Sequence, residues 1–246
     1  MICGCGAGPV FLEENLRFPV GPRVAMMRRR ATRILPIMTS KNDAPIRVGG
    51  RSLGPVRHIC AFFHSKEEEY ATLRDFIKEG IEAGDKGFHI VDANHCATHR
   101  SRLKSDGIDV DAAEKKGQLK VACWEDAYLK DGYFDQDRQL ALLENILKDS
   151  KQEGYPLTRL VANMEWALEE KAGVKDIVEY ECRLNNFLPN YPDPVICTYD
   201  LSRFGAGIVM DIMRTHPMII VGGVLQENPL YVPPDQFLGE LNSRRT

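Results

Sequence analysis

The sequence of 246 residues contains no apolar run that approaches the roughly 20 residues of a membrane-spanning helix. Its N-terminus also lacks the charged-then-apolar order of a secretory signal. A global excess of basic residues, which is typical of nucleic-acid-binding domains, is missing too, since the formal net charge is -3. We therefore expect a cytoplasmic protein whose folded part binds neither a membrane nor nucleic acid directly.

The motifs of several large enzyme classes are missing as well. GxSxG, HExxH and GxGxxG do not occur, so no nucleophile elbow, zinc-protease helix or dinucleotide-binding turn can be recognised. The sequence has no internal repeat. We predict no catalytic residue and no cofactor.

The seven cysteines are an odd number, which argues against a complete disulfide framework. Cys60, Cys123 and Cys197 lie inside apolar, strand-like runs, a position typical of buried free thiols in a reducing compartment. Cys3 and Cys5 are one residue short of a CxxC spacing and have no second pair nearby, so we predict no metal site there.

Charge divides the chain into two unequal parts. Residues 1–53 hold nine basic and three acidic residues, with a basic cluster at residues 26–33, and show no clear periodicity. We predict a largely disordered basic arm over residues 1–53 and one folded domain over residues 54–246. The arm is interpreted as a solvated tail or an upstream extension in preference to a segment that contacts nucleic acid or an anionic membrane.

The stretch from Arg57 to Asp92 predicts a strand, a helix and a second strand. Apolar runs at His58–Phe63 and Phe88–Val91 are typical of buried strands. Between them, apolar residues recur every three or four positions after a Ser65–Glu68 capping box, which predicts a helix. Strand, helix and strand form a βαβ unit, which indicates a parallel sheet. Ligands of such sheets bind at the carboxyl ends of the strands, here His64–Ser65 and Asp92–His95.

Further elements alternate in the same way towards the C-terminus. The predicted helices are His95–Lys104, Asp111–Lys116, Gln136–Gln152, Asp176–Leu188 and Arg203–Arg214, and the predicted strands are Gln118–Trp124, Leu157–Met164, Pro194–Tyr199 and Met218–Val221. The Pro-rich tail from residue 228 is expected to be extended, with a final short turn. This alternation predicts an α/β three-layer sandwich with a mainly parallel central sheet.

The first strand–helix turn differs from a phosphate-binding loop. Such loops need glycines that let backbone amides face the phosphates, followed by a Lys-Ser/Thr pair. The segment Phe63–Glu69 has neither feature, and it carries three consecutive carboxylates, Glu67–Glu69, which would repel phosphate. ATP hydrolysis by the usual geometry is therefore disfavoured.

Ten stretches between about residues 57 and 240 resemble, in unbroken order, the MEDS family of sensory domains. They are HICAFFHSKEEE, FIKEGIEAGDKGFHIVD, Asp106-Gly107-Ile108-Asp109, Gly117-Gln118-Leu119, YLKDGYFD, MEWAL, YECRLNNF, ICTYDLSRF, RTHPMIIVGG and ENPLYVPP. The resemblance implies a RecA/KaiC-like fold without a Walker A motif. It also implies sensing of small molecules, such as hydrocarbon derivatives, on behalf of a DNA-binding or kinase-like partner. One departure is Asn163, which stands where the family tends to have Glu.

We expect the ligand at the carboxyl ends of the strands. The candidate ligand-binding residues are His64, Ser65, Asp92, Asn94, His95, Trp124, Met164, Glu165, Tyr199, Asp200 and Arg203. Trp124, Met164 and Trp166 lie at the ends of the third and fourth strands and could line an apolar pocket, and plain core packing is the alternative. Asp92 could instead cap a helix, and Asp200 could instead cap a helix beside a surface ion pair with Arg203.

Three histidines are candidates for a metal site. His95 and His99 are four positions apart on one helix face, and with His64 or Cys96 they could hold zinc or another borderline metal. No spacing fixes a third ligand, and ordinary surface or pocket histidines are the simpler interpretation. We therefore predict no bound metal.

These observations favour a non-catalytic sensory domain in signal transduction or transcriptional regulation. A small apolar or halogenated molecule would bind, and its occupancy would pass to a regulatory partner protein. The alternatives are a metal-assisted hydrolase that uses His64, His95 and His99, or an atypical nucleotide-binding protein. A scaffold protein, whose basic arm and acidic body pair with each other or with another subunit, is a third hypothesis.

Overall fold

Residues 45–245 are described by the computed structural model. Their strands, in chain order, are β1 Arg47–Val48, β2 Arg51–Ser52, β3 His58–Phe63, β4 Lys86–Val91, β5 Leu119–Cys123, β6 Thr158–Asn163, β7 Val195–Asp200, β8 Met218–Val221 and β9 Val224–Glu227. Their α-helices are α1 Lys66–Glu82, α2 Cys96–Ser105, α3 Val110–Lys115, α4 Gln136–Gln152, α5 Ile177–Phe187, α6 Ala206–Thr215 and α7 Pro234–Arg245.

Seven strands form one sheet in the order β5-β4-β6-β7-β3-β8-β9. All neighbours are parallel except β8 and β9, which form an antiparallel hairpin. The prediction of an α/β fold with a mainly parallel central sheet is confirmed. However, β3 and β4 are not neighbours, because β6 and β7 lie between them. The predicted unit around α1 therefore crosses two strands instead of joining adjacent ones.

Alternating strand residues build two separate apolar layers. On one face of the sheet, side chains such as Ile59 and Ala61 pack against α1, α2 and α3. On the other face, Cys60 and Phe62 pack against α4, α5 and α6. β3, β4 and β6 are buried along their whole lengths, as strands covered by helices on both faces must be. The predicted three-layer sandwich is confirmed.

The turn between β3 and α1 follows the predicted capping chemistry. The Ser65 hydroxyl accepts a hydrogen bond from the Glu68 amide at 3.2 Å, and the Glu68 carboxylate accepts one from the His64 amide at 2.8 Å. Three glutamates occupy the first turn of α1, where carboxylates are favoured by the helix dipole. These contacts fix the start of α1 at the carboxyl end of β3.

Two short strands precede the predicted domain boundary at residue 54. β1 and β2 pair as a short antiparallel hairpin, and Ile46, Val48 and Leu53 are buried in the layer beside α1. The predicted arm is therefore wrong over residues 45–53, because three apolar side chains of that segment pack into the core. Residues 1–44 lie outside the described part of the chain.

The C-terminal tail also differs from its prediction. Gly222 and Gly223 take left-handed conformations, with φ of 56° and 73°, which suit a two-residue hairpin turn, and β9 follows. The expected final short turn is instead α7, a helix of 12 residues. Its Phe237 is fully buried, so packing stabilises a segment whose Pro-rich start suggested extended chain.

Within residues 45–245, none of the helices combines the length and the apolar character that crossing a membrane would require.

Candidate functional site

A cavity of about 150 Å³ lies at the carboxyl ends of the strands. Its walls come from residues that follow β4, β5, β6 and β7 and from the first turns of α1 and α2. This edge is where parallel sheets usually bind ligands, because the loops after the strands converge there.

Five of the predicted ligand-binding residues line this cavity: Asp92, His95, Trp124, Glu165 and Arg203. The other predicted residues that the structure places outside its lining are His64, Ser65, Asn94, Met164, Tyr199 and Asp200. Lys66, Glu69, Tyr70, His99 and Asn163 line it as well. These five side chains, all of which carry polar groups, were not among the predicted ligand-binding residues.

Lys66 joins two carboxylates on the cavity wall. Its Nζ lies 2.8 Å from Glu69 Oε2 and 3.2 Å from Glu165 Oε1. Burial alone would lower the pKa of Lys66, but the attraction of Glu69 and then of Glu165 outweighs it and the pKa is raised. The ion pairs tie the start of α1 to the turn after β6.

Glu165 is the most unusual residue of the wall. Its side chain is 2% exposed, and its second oxygen, Oε2, has no hydrogen-bond partner among residues 45–245. Burial raises the pKa of Glu165, although the charge of Lys66 opposes that shift. A buried carboxylate oxygen without a donor costs about 1–3 kcal/mol or more, so this atom is suited to accept a hydrogen bond from a bound molecule.

A chain of neutral polar groups lies behind the wall. Tyr70 Oη lies 2.8 Å from His99 Nδ1, and His99 Nε2 lies 2.8 Å from His89 Nδ1. Burial, followed by the charges of Lys66 and Arg100, lowers the pKa of His99 to about 4. Burial, followed by repulsion from Glu69, raises the pKa of Tyr70 to about 12. Both groups are therefore uncharged at neutral pH.

The two aspartates at the ends of β4 and β7 accept hydrogen bonds from backbone amides. Asp92 Oδ1 accepts the Asn94 amide at 2.8 Å, and Asp200 Oδ1 accepts the Ser202 amide at 2.8 Å. No ion pair joins Asp200 to Arg203 in the described structure, and Asp200 closes the turn after β7 instead of capping α6, whose N-cap is Gly205. The Arg203 guanidinium has no hydrogen bond or ion pair to any residue of the range 45–245, and it lines the cavity.

Two predicted residues belong to the core instead. Met164 is fully buried in the layer beneath α4 and α5, so plain packing is the interpretation that the structure supports. Tyr199 lies within β7, not after it, and its hydroxyl donates to Glu181 Oε1 at 2.9 Å. Its side chain faces α5 and is directed away from the cavity.

The three histidines considered for a metal site do not converge. Both ring nitrogens of His99 are hydrogen-bonded, His95 is 61% exposed beside Asp92, and His64 is exposed. His99 offers no free nitrogen for a metal ion in this arrangement, because Tyr70 and His89 contact both of its ring nitrogens. Among residues 45–245, the group with metal-ligand geometry is a different one: His58, Glu181, Cys197 and His216.

The sequence did not predict a site formed by these four residues. They come from β3, α5, β7 and the residue after α6, and no motif spacing connects them. The available signal was the presence of ionisable side chains in apolar surroundings, namely a histidine in the HICAFF run and a glutamate on the apolar face of α5.

The chain is similar to known proteins in sequence over most of its length. The MEDS family, "MEthanogen/methylotroph, DcmR Sensory domain", matches residues 57–217. The transcriptional repressor DcmR of Methylorubrum extorquens is 29% identical over 177 residues, which is 72% of this chain but 64% of the repressor. The chain thus spans less than two thirds of that relative. A KaiC-like protein of Pyrococcus horikoshii OT3 superposes with a TM-score of 0.49 at 18% identity, over 70% of this chain and 73% of the other. The match over residues 57–217 covers most of the sequence, and the chain therefore belongs to the MEDS family of sensory domains.

Proposed function

We propose that this chain is a non-catalytic, cytoplasmic sensory domain. A small molecule binds in the cavity at the carboxyl ends of the strands, and its occupancy passes to a partner protein that regulates transcription or signalling. Family membership and the likeness to a transcriptional repressor support the regulatory part of the proposal. The five cysteines within the described range are free thiols, which agrees with a reducing compartment.

The unpartnered oxygen of Glu165 is the observation that carries the binding proposal. It belongs to a buried carboxylate on the wall of a cavity, and a ligand hydroxyl or amine would supply the missing hydrogen bond. The volume of about 150 Å³ matches that of cavities that hold one benzene-sized molecule. The ligand class is therefore a short hydrocarbon derivative with one hydroxyl or amine group, packed against Trp124, and halogenated hydrocarbons, which have no donor for Glu165, are the comparison class.

Lys66 could transmit ligand binding from the cavity to helix α1. It bridges α1 and the turn after β6 through its two ion pairs. A ligand that donates to Glu165 Oε2 shares the carboxylate with Lys66, which contacts Oε1, so its affinity differs between conformers in which the bridge does or does not hold Glu165 in place. That difference in affinity shifts their populations.

Thermal denaturation in the presence of short alcohols, short amines and halomethanes tests the proposal. A ligand at 100 times its dissociation constant stabilises the folded state by about 2.7 kcal/mol, which raises the Tm of a chain of this size by roughly 5–10 °C. The shift should be lost in Glu165→Gln and retained in Glu169→Gln, since Glu169 is exposed. If no member of these classes shifts the Tm, or if both variants respond alike, the proposal is wrong.

A further inference from the structure

Two histidines, a glutamate and a cysteine meet in a closed cluster between the sheet and helices α5 and α6. His58, Glu181, Cys197 and His216 are all buried, with exposures of 0–3%. The cluster shares no residue with the cavity. His58 begins β3, and Cys197 stands three residues before the end of β7.

The distances in this cluster suit four ligands of one metal ion. His58 Nε2 and His216 Nε2 each lie 3.3 Å from Glu181 Oε2, and Cys197 Sγ lies 3.8 Å from that oxygen and 3.9 Å from His58 Nε2. All four ligand atoms lie within 4.8 Å of one another. Zinc bonds of about 2.0–2.3 Å place tetrahedral ligand atoms about 3.3–3.8 Å apart, so small side-chain movements complete the site.

Hydrogen bonds outside the cluster orient the His58 ring. The Asn185 amide group donates to the carbonyls of Glu181 at 3.2 Å and Thr215 at 2.5 Å. The Asn185 oxygen is therefore the atom 3.0 Å from His58 Nδ1, and Nδ1 must be the donor. The lone pair of His58 consequently lies on Nε2, facing the cluster.

His216 is oriented in the same way. Its Nδ1 lies 2.9 Å from both the Ile212 carbonyl and the Thr215 hydroxyl. That hydroxyl donates to the same carbonyl at 2.8 Å, so the proton between the ring and the carbonyl belongs to Nδ1. Its Nε2 faces Glu181 Oε2 at 3.3 Å without the alignment of a hydrogen bond. Tyr199 holds the other oxygen of Glu181 at 2.9 Å. Outer hydrogen bonds of this kind are what metal-binding histidines and carboxylates usually have.

Two imidazole nitrogens, a carboxylate oxygen and a sulfur face one another in this cluster, and one cation between them would contact all four. We propose that His58, Glu181, Cys197 and His216 bind one divalent transition-metal ion, with zinc as the best match to a nitrogen, oxygen and sulfur ligand set. Binding converts the Cys197 thiol to a thiolate and releases its proton to solvent. A dication with one thiolate, one carboxylate and two neutral imidazoles has no net charge, which suits a buried site.

The filled coordination shell makes this a structural site. The ion links β3, β7, α5 and the segment after α6 within one apolar layer, and no position is left open for a substrate. Because the site shares no residue with the cavity, this inference stands or falls independently of the proposed sensing function.

Metal content of the full chain, purified without a metal-affinity step, tests the proposal. We expect about one zinc ion per chain, or the uptake of about one Zn²⁺ or Co²⁺ by metal-free protein. The cobalt form should show the visible bands of tetrahedral Co²⁺ and a thiolate-to-metal charge-transfer band. Cys197→Ser should lose the charge-transfer band, whereas Cys182→Ser, a buried cysteine outside the cluster, should keep it.

A second pair of variants covers the case in which Cys197→Ser does not fold. Asn185→Leu removes the acceptor that orients His58 and should weaken Zn²⁺ binding about 10–100-fold, whereas the exposed Asn186→Leu should not. Absence of stoichiometric Zn²⁺ and Co²⁺ binding by the wild-type chain would show that protons alone occupy the cluster and would overturn the proposal. Equal loss of metal in Asn185→Leu and Asn186→Leu would overturn it too.

Discussion

At the scale of single residues, His99 links the packing of the cavity wall to pH. Its pKa of about 4 results first from burial and then from the positive charges of Lys66 and Arg100, while Tyr70 and His89 take both of its nitrogens. In the unfolded chain the pKa of a histidine is about 6.5. The folded state therefore binds fewer protons than the unfolded state between these two values, and its stability falls as the pH is lowered.

This residue predicts a specific pH profile for unfolding. Above about pH 6.5, His99 is neutral in both the folded and the unfolded chain, and it causes no loss of stability. At pH 4.5, its protonation in the unfolded chain alone should lower the free energy of unfolding by about 2–3 kcal/mol relative to neutral pH. In His99→Gln that part of the loss should disappear, since the variant cannot take up a proton there. Urea denaturation at pH 7 and pH 4.5 measures it, with the exposed His95→Gln as control. A wild-type profile in both variants would contradict the prediction.

At the scale of elements, capping residues and apolar periodicity predict the bounds of a helix correctly when both are present in its own sequence. α4 begins and ends where the sequence predicted, because Asp135 caps it, with the Arg138 amide 2.8 Å from its carboxylate, and leucines form its inner face. α7 carries no such stripe, and Pro233 and Pro234 suggested extended chain. The stability of α7 depends on the burial of Phe237. A single buried aromatic residue cannot be recognised from the sequence before the surface that it packs against is known.

Phe237 should therefore hold α7 in place. It is fully buried, with the Arg214 and Arg244 guanidiniums over its ring, and an isolated helix of about 12 residues is only marginally stable in water. Phe237→Ala should cost about 3–5 kcal/mol and detach α7 from α5. Cys182 is 1% exposed and its thiol lies 3.4 Å from the Pro234 carbonyl, so its labelling by a thiol reagent should become faster.

Peptide mass spectrometry of the labelled chain follows Cys182 separately from the other cysteines. Burial, and then the charges of Asp235 and Glu179, raise the pKa of Cys182 to about 11, so the wild-type thiol should react slowly. Leu230→Ala is the control, because Leu230 is 44% exposed in the same tail. Slow labelling of Cys182 in Phe237→Ala would mean that α7 stays docked without its anchor.

At the scale of the whole molecule, the sequence indicates which edge of the sheet bears the cavity but not which side chains meet there. Asp92, Trp124 and Glu165 could be placed near one another because each follows a strand of a parallel sheet. Tyr199 could not be placed, since its orientation depends on where β7 ends. The buried cluster depends on the register of β3 and β7, which sets Cys60 beside Cys197, and on the packing of α5 against the sheet. Both are contacts between residues far apart in the sequence, so local patterns do not predict them.

The folded domain includes residues 45–53, because apolar side chains of this segment are buried. Ile46, Val48 and Leu53 are 3–7% exposed, and the Leu225 amide donates to the Gly49 carbonyl at 3.2 Å. The segment from residue 45 to 53 is therefore part of the core beside α1 and β9. Burying each of these side chains contributes about 1.5–3 kcal/mol, and such sums are upper bounds.

A chain that begins at residue 54 should consequently be less stable than one that begins at residue 45, by at most several kcal/mol. Urea denaturation of the two chains measures the difference as a lower midpoint for the shorter one. Val48→Ala in the longer chain is the matched single change and should cost roughly 1–2.5 kcal/mol, the usual range for removing buried methyl groups. Equal midpoints for the two chains would mean that the hairpin of β1 and β2 adds nothing to the fold, and that the domain begins at residue 54 as its charge pattern suggested.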